Sequence, residues 1–160
     1  MIRIGFGFDT HKLADDQPFW LGGVLVPHTK GALGHSDADV VIHAIIDALL
    51  GAAGLRDIGT QFPDKAAEFK GIDSKILLAR TMEMIITKGF VIGNIDVTIV
   101  LQEPKVSPFV PAMVAALSSV MNTGEDQLSI KAKTSEKLGF IGRGEGVSAY
   151  AVALLEKPGS

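Results

Sequence analysis

The chain contains no cysteine. This absence excludes disulfide bonds and thiolate metal sites, so any metal ion would have to be bound by histidine and carboxylate groups. Histidine is itself scarce, with four in 160 residues. A metal site built on imidazole groups therefore has few candidate ligands.

An excess of basic charge is also absent, and so is any long hydrophobic run. The net charge of -3 argues against a protein that binds nucleic acid through a broad basic surface, although phosphate can still be bound locally. No window approaches the roughly 18 apolar residues of a membrane span, and the first residues lack the layout of a signal peptide. We expect no nucleic-acid partner, no membrane partner and a cytoplasmic location.

The length and composition suit one globular domain, residues 1–160, which is large enough to bury a hydrophobic core. Hydrophobic residues make up 47% of the chain and charged residues 21%, a composition that is slightly more hydrophobic than a monomer usually has. We therefore expect part of the apolar surface to contact another subunit.

Hydrophobic periodicity predicts the element order β, hairpin, α, α, β, α, β, β, an α+β fold with a mixed β-sheet and helices on one face. Breakers and caps give the approximate limits of each element. The predicted segments are a strand over 2–11, a hairpin over 18–27 turning at Gly22-Gly23, a polar loop through 30–34, a helix from Ser36 to Gly51 or Gly54, a loop over 55–70, a helix from Asp73 or Ser74 to Lys88, a strand over 90–102, a helix over 109–121, a strand over 128–134, a glycine-rich turn over 139–146 and a strand over 147–155.

The first predicted helix is apolar on every side except one stripe formed by Asp39, His43 and Asp47. A helix of this kind is buried, so its three polar groups need partners inside the protein. Asp39 and Asp47 each lie one turn from His43, and either could accept its second ring N–H. Equally, Asp39 could only cap the helix and Asp47 could face solvent.

A carboxylate and an imidazole, those of Asp9 and His11, share one face of the first predicted strand. These two groups plus one more histidine would leave an open position on a tetrahedral zinc ion. His43 is the best third ligand. The alternatives are a solvated His11 at the end of the strand and a hydrogen-bonded core histidine at position 43.

Two further segments could bind phosphate. Gly34-His35-Ser36 precedes a helix, where free backbone N–H groups favour an anion, although Ser36 could equally be only the helix cap. The segment Lys133–Lys137 combines hydroxyl and ammonium groups with the carboxylate of Glu136. It suits a diphosphate with a bound magnesium or manganese ion, or it is simply a charged turn.

Five ordered motifs extend over nearly the whole chain: Arg3–His11, His35–Val40, Asp57–Gly59 followed by Phe62–Asp64, and Thr134–Gly146. Together they resemble the 2-C-methyl-D-erythritol 2,4-cyclodiphosphate synthase family. Their order and spacing make the resemblance more specific than any single motif.

The resemblance implies an enzyme of the non-mevalonate isoprenoid precursor pathway, a phosphorus-oxygen lyase. It would convert 4-diphosphocytidyl-2-C-methyl-D-erythritol 2-phosphate into 2-C-methyl-D-erythritol 2,4-cyclodiphosphate and CMP. It also implies a homotrimer around a central axis, with active sites between subunits and with Phe140, Arg143 and Glu145 near that axis.

Site residues carried over from the family fall into three groups. The resemblance implies zinc ligation by Asp9, His11 and His43, and a magnesium or manganese ion held by Glu136. The implied catalytic residues are His35 and Thr134. The implied substrate-binding residues are Ser36, Asp57, Gly59, Phe62, Asp64, Leu101, Lys105, Val106, Ser107, Lys133, Thr134, Glu136, Phe140 and Arg143.

The chain departs from the family pattern at three positions: Phe6, Lys133 and Ser135 replace a frequent histidine, a frequent small hydroxyl residue and a frequent threonine. Of these, Lys133 puts the details of nucleotide contact in doubt. Two other functions stay open: a zinc phosphohydrolase acting on a nucleotide diphosphate, and a non-catalytic trimeric binding protein with a structural zinc ion.

Overall fold

A computed structural model describes residues 1–159 and contains one mixed α+β fold with a curled sheet. The strands are β1 (Ile2–Asp15), β2 (Trp20–Leu21), β3 (Val24–Leu25), β4 (Lys30–Ala32), β5 (Val91–Val100), β6 (Leu128–Lys133) and β7 (Gly146–Glu156). The helices are α1 (Val40–Ala52), α2 (Ile58–Gln61), α3 (Ser74–Thr87), α4 (Val110–Met121) and α5 (Gly139–Gly142), with 3-10 turns at Ala67–Phe69, Ser107–Phe109 and Glu125–Gln127.

The main sheet has five strands in the order β4-β1-β7-β5-β6. β1 pairs antiparallel with β4 and β7, β7 pairs antiparallel with β5, and β5 pairs parallel with β6. β2 and β3 form the predicted hairpin at Gly22-Gly23. The sheet is therefore mixed, as the sequence predicts.

α1 lies directly on β1 and β7 and forms the centre of the core. Gly5 and Gly7 of β1 make this close approach possible. A Cβ atom at Gly5 would lie 1.9 Å from the carbonyl oxygen of Ala48, and one at Gly7 would lie 1.9 Å from that of Ala44. Only glycine fits where another backbone passes so close.

The opposite face of the sheet is apolar and exposed. Side chains alternate along a strand, so the odd-numbered residues of β1 face α1 and the even-numbered residues point away from it. Those even-numbered side chains are largely exposed, with Ile4 at 69% and Phe6 at 63%. The open face consists of Ile2, Ile4, Phe6, Phe8, Tyr150 and Val152.

Several predicted limits are wrong. β1 continues to Asp15, because the predicted loop at 30–34 contains β4, whose backbone pairs with Leu13–Asp15 and extends the sheet. The predicted loop over 55–70 contains α2 and a 3-10 turn, and the glycine-rich turn contains α5.

The predicted cap of the first helix is also wrong. Asp39, not Ser36, is the N-cap of α1, and its carboxylate accepts hydrogen bonds from Val41 N and Ile42 N. The same carboxylate accepts bonds from Gly22 N and Gly23 N at 2.9 and 2.7 Å. Burial raises the pKa of Asp39, although these backbone N–H groups oppose the shift. Asp39 thus ties the hairpin to the start of α1.

No helix within residues 1–159 is both long and apolar enough to cross a membrane.

A candidate metal centre and its pocket

Three predicted ligands from two elements meet at one point. Asp9 and His11 are on β1 and face α1, and His43 lies in the first turn of α1. Asp9 Oδ2 is 2.9 Å from His11 Nε2 and 3.0 Å from His43 Nδ1, and the two ring nitrogens are 3.2 Å apart. The three side chains could bind one metal ion together.

Hydrogen bonds on the far side of each ring determine where the ring protons lie. His11 Nδ1 is 2.8 Å from the carbonyl oxygen of Leu33, which can only accept, so this nitrogen carries the proton in the neutral ring. His11 Nε2 then presents a lone pair to the cluster.

The side of His43 away from the cluster is bordered by two hydroxyl groups. Its Nε2 atom lies 2.9 Å from Ser74 Oγ and 3.1 Å from Ser36 Oγ. The Ser74 hydroxyl donates to the Asp37 carboxylate, so its oxygen is free to accept a proton from His43. With the ring proton on Nε2, His43 Nδ1 can present a lone pair to the cluster, where a cation would balance the lone pairs that converge.

The triangle of donor atoms fits a tetrahedral zinc ion. Two ligands about 2.0–2.1 Å from zinc lie about 3.3 Å apart at the tetrahedral angle, close to the three distances observed. Two imidazoles and one carboxylate are typical of a catalytic zinc site with an open fourth position. The residues present therefore fit the metal that the sequence resemblance implies.

The same contacts shift the pKa values of Asp9 and His11. Burial alone would raise the pKa of Asp9, but in the absence of a metal ion hydrogen bonds donated by His11 and His43, together with their charges, hold it well below its usual range. Burial alone would lower the pKa of His11, whereas its bonds to Asp9 and Leu33 raise it above the ordinary value. The carboxylate is therefore ionised and ready to bind a cation at neutral pH.

Neither Asp39 nor Asp47 binds the second ring nitrogen of His43. Asp39 caps α1, and Asp47 accepts a hydrogen bond from Ile58 N at 2.8 Å. Burial raises the pKa of Asp47, and the Ile58 bond opposes this shift. The partner that sequence reasoning missed is Ser74. No local pattern could have revealed it, since it lies 31 positions from His43 along the chain.

A pocket of about 180 Å³ opens beside the metal ligands. Two groups implied by the resemblance line it, His35 and Ser36 from the loop before α1, and Gly59, Phe62 and Asp64 from α2 and the loop after it. The remaining lining residues, which the sequence analysis did not single out, are Ile58, Phe69 and Leu77. The pocket thus combines the polar groups of His35, Ser36 and Asp64 with an apolar wall.

Asp57 is not among the residues that line this pocket. It is the N-cap of α2, and its Oδ1 atom accepts hydrogen bonds from Thr60 N and Thr60 Oγ1 at 2.8 and 2.7 Å. These bonds lower the pKa of Asp57. In this chain Asp57 shapes the turn that carries Gly59 and Phe62 to the pocket.

A second group of implied site residues lies where the parallel strands β5 and β6 end. Leu101 N donates to Lys133 O at 2.9 Å, and Thr134 Oγ1 donates to Glu136 Oε1 at 2.9 Å. Glu136 has a positive φ of 54°, a conformation that is costly for a non-glycine residue and clusters at functional sites. The members are Leu101, Lys105, Val106, Ser107, Lys133, Thr134 and Glu136; Leu101 and Val106 are buried and the others are exposed.

This second group does not line the metal pocket among the described residues. β1 and β6 are separated by three strand-to-strand steps, through β7 and β5. At about 4.8 Å a step, the residues that follow β5 start about 10 Å from β1 along the sheet, and those that follow β6 start about 14 Å from it. The site residues that the resemblance implies therefore fall into two separate groups in one chain, which we call the metal half-site (Asp9, His11, His43 and the pocket beside them) and the nucleotide half-site (Leu101 to Ser107, Lys133, Thr134 and Glu136).

The residues expected near a central axis are in or next to α5. Phe140 is 42% exposed, and Arg143 Nε donates to Glu145 Oε1 at 2.7 Å. Two departures from the family pattern have clear positions: Phe6 lies on the open face near Tyr150, and Ser135 Oγ donates to Leu138 O at 2.8 Å. Neither contacts the metal ligands.

Comparison with protein families gives a match over residues 2–156 to the YgbB family. The chain belongs to the YgbB family. A relative of this YgbB-family chain from Bacteroides fragilis, named 2-C-methyl-D-erythritol 2,4-cyclodiphosphate synthase, is 58% identical over 156 residues, which cover 98% of each chain.

Solved structures agree with this YgbB-family assignment. The IspF of Plasmodium falciparum in complex with CDP aligns with a TM-score of 0.86 and 38% identity, over 98% of this chain and 96% of that one. The bifunctional IspDF of Campylobacter jejuni aligns with a TM-score of 0.94 and 39% identity, over 98% of this chain. The alignment covers only 42% of that bifunctional chain.

Proposed function

We propose that this chain is a 2-C-methyl-D-erythritol 2,4-cyclodiphosphate synthase, a CMP-forming lyase of the non-mevalonate isoprenoid pathway. It converts 4-diphosphocytidyl-2-C-methyl-D-erythritol 2-phosphate into the 2,4-cyclodiphosphate and CMP. The observation that carries this conclusion is the 58% identity, over 98% of both chains, to a relative with that name. The converging donor atoms of Asp9, His11 and His43 support it independently.

The chemical difficulty of the reaction is one of charge. The 2-phosphate attacks the β-phosphorus in line, the bond from β-phosphorus to the CMP oxygen breaks, and both reacting groups are anionic. When bound by Asp9, His11 and His43, zinc supplies a positive charge and an open position that offset this repulsion. No base is needed, because the attacking phosphate is already ionised.

The pocket residues position the substrate. His35 and Ser36 line the pocket beside the metal ligands and are the proposed phosphate-binding groups, with His35 also stabilising the transition state. Phe62, Phe69 and Leu77 form an apolar wall that excludes water from the reacting groups. Exclusion of water favours ring closure over hydrolysis.

The second half-site is proposed to bind the cytidine diphosphate part. Leu101 to Ser107, Lys133 and Thr134 would contact the nucleotide, with Thr134 also stabilising the transition state, and Glu136 would hold a magnesium or manganese ion whose positive charge offsets the negative charge of the diphosphate. The exposed carboxylate of Glu136 suits a hard cation, which prefers carboxylate and phosphate oxygens. The CDP complex of the Plasmodium falciparum relative supports a nucleotide diphosphate ligand.

A homotrimer is proposed to bring the half-sites together. The open face brings several large, exposed apolar side chains together, with Phe6 at 63% and Phe8 at 47%, and this supports contact between subunits. In a closed ring the metal half-site of one subunit would meet the nucleotide half-site of its neighbour. A cytoplasmic location stays a prediction of the sequence.

Phosphorus NMR of the product tests the proposed function. Incubation of the purified protein with the cytidylyl substrate, zinc and magnesium should give the cyclic diphosphate and CMP, and a chelator should stop the reaction. An open-chain phosphate with CMP would instead indicate a zinc phosphohydrolase. Binding of substrate without turnover would indicate the non-catalytic binding protein.

A further inference from the structure

A buried serine contacts the metal ligand His43 from behind. Ser74 is the first residue of α3, is fully buried at 0% exposure, and its Oγ atom lies 2.9 Å from His43 Nε2. Behind Ser74 is Asp37, whose carboxylate accepts hydrogen bonds from both the hydroxyl and the backbone N–H of Ser74. His43, Ser74 and Asp37 thus form one continuous hydrogen-bonded chain.

The direction of this chain follows from counting protons. The Asp37 carboxylate has only acceptor atoms, so the single hydroxyl proton of Ser74 points to it. Ser74 Oγ therefore meets His43 with a lone pair, and Nε2 must carry the ring proton. With a metal ion bound at the cluster, the ring therefore keeps its proton on Nε2 and presents an unprotonated Nδ1, the nitrogen that faces Asp9 and His11.

We propose that Ser74 and Asp37 are positioning residues, which hold His43 in the tautomer and orientation that present Nδ1 to the metal. The inference rests on the proposed zinc site and adds the residues that prepare it. Groups behind a metal-bound histidine fix its tautomer and raise its basicity, and their loss typically weakens metal affinity about 10- to 100-fold.

A merely structural role for the Ser74 hydroxyl does not account for its place. The N-cap of α3 is Asp73, whose side chain accepts from Lys75 N at 2.9 Å, so the helix start does not depend on the Ser74 hydroxyl. Ser36 also approaches His43 Nε2, at 3.1 Å, but it lines the substrate pocket and is partly exposed. Ser74 is the fully buried contact.

The matched control is another buried serine. Ser118 of α4 is 3% exposed, and its hydroxyl oxygen is the one buried side-chain nitrogen or oxygen atom of residues 1–159 that lacks a hydrogen-bond partner. Ser74→Ala and Ser118→Ala each delete one buried hydroxyl group. Only the first deletes a partner of His43, so the pair separates positioning from the general cost of the substitution.

Zinc affinity, measured by competition with a chelator, is the first readout. We expect Ser74→Ala to bind zinc about 10- to 100-fold more weakly than wild type, and Ser118→Ala to match wild type. Equal zinc affinity in Ser74→Ala and wild type would overturn the inference while leaving the zinc site in place. A wild-type protein that binds no zinc would overturn the proposed site itself.

The tautomer is the second readout and needs no substitution. Nitrogen-15 NMR of the imidazole groups in zinc-loaded wild type should place the ring proton of His43 on Nε2, whereas a proton on Nδ1, with zinc bound through Nε2, would overturn the inference. Asp37→Asn should also weaken zinc binding, and the double variant should bind no more weakly than Ser74→Ala, because Asp37 acts through Ser74. If the losses of zinc affinity in the two single variants add up in the double variant, Asp37 does not act through Ser74.

Discussion

The two half-sites of this chain are built in different ways. The metal half-site is formed by side chains from β1 and α1 that are held by partners from distant parts of the chain, such as Leu33 and Ser74. The nucleotide half-site consists mostly of exposed side chains, and the side-chain bond from Thr134 to Glu136 joins near neighbours in the chain. The donor atoms of the first are prearranged within one chain, whereas in the proposed homotrimer the second would be completed by substrate, cation and a neighbouring subunit.

Loss of a metal ligand from the prearranged half-site should have the largest effect on activity. We expect His43→Ala and Asp9→Asn to lose zinc and to lower the rate at least about a thousandfold, since the metal supplies several kcal/mol of transition-state stabilisation. Circular dichroism should stay close to wild type, because the core around α1 is apolar. Unchanged zinc stoichiometry in both variants, by elemental analysis, would contradict the ligand assignment.

Loss of the carboxylate in the other half-site should act on a different ion. Glu136→Gln should keep zinc but bind magnesium or manganese more weakly, because the neutral amide attracts a hard cation less than a carboxylate does. One charged contact contributes about 1.5–3 kcal/mol, which corresponds to a roughly ten- to hundredfold loss at low magnesium. Titration with magnesium should restore part of the rate, and indifference to added cation would count against this role.

The close packing of α1 on β1 should keep His43 at the right distance from Asp9 and His11 to bind the metal. Gly7→Ala would place a Cβ atom 1.9 Å from the carbonyl oxygen of Ala44, so α1 must shift and carry His43 with it. We expect a destabilisation of about 1–3 kcal/mol, as for other overpacked cores, together with weaker zinc binding. Thermal unfolding and chelator competition measure the two effects.

Gly51→Ala is the control for this substitution. Gly51 lies in the same helix, is exposed, and a Cβ atom there would meet nothing within 4 Å. Alanine should stabilise the helix by about 0.5–1 kcal/mol and leave zinc binding unchanged. Zinc affinity that falls equally in both variants would show that the close approach at Gly7 is not what matters.

The sequence was sufficient to predict the three metal ligands, but not the hydrogen bonds that hold them in place. Asp9 and His11 are two residues apart on a strand, so they must share a face, and the buried polar stripe of α1 marked His43. The role of Asp39 as a clamp on the hairpin and the bond from His43 to Ser74 join residues that are far apart in the chain. Local periodicity carries no information about such contacts. β4 was missed for the same reason, since three residues form a strand only because β1 is beside them.

If each active site is shared between two neighbouring subunits, a mixture of two inactive variants should regain activity, and this is the smallest expected difference from the activity of wild type. His43→Ala inactivates only the metal half-site of a subunit, and Glu136→Ala inactivates only the nucleotide half-site. If one subunit supplies the first half and its neighbour the second, an equal mixture that reassembles at random should contain about a quarter of sites with both halves intact. Activity should then recover from nearly nothing to within about fourfold of wild type, whereas each variant alone should stay inactive.

If the site instead lies within one chain, no activity should return, because every chain in the mixture carries one lesion. A mixture that exchanges subunits by mass spectrometry yet remains inactive would therefore place both half-sites in the same subunit.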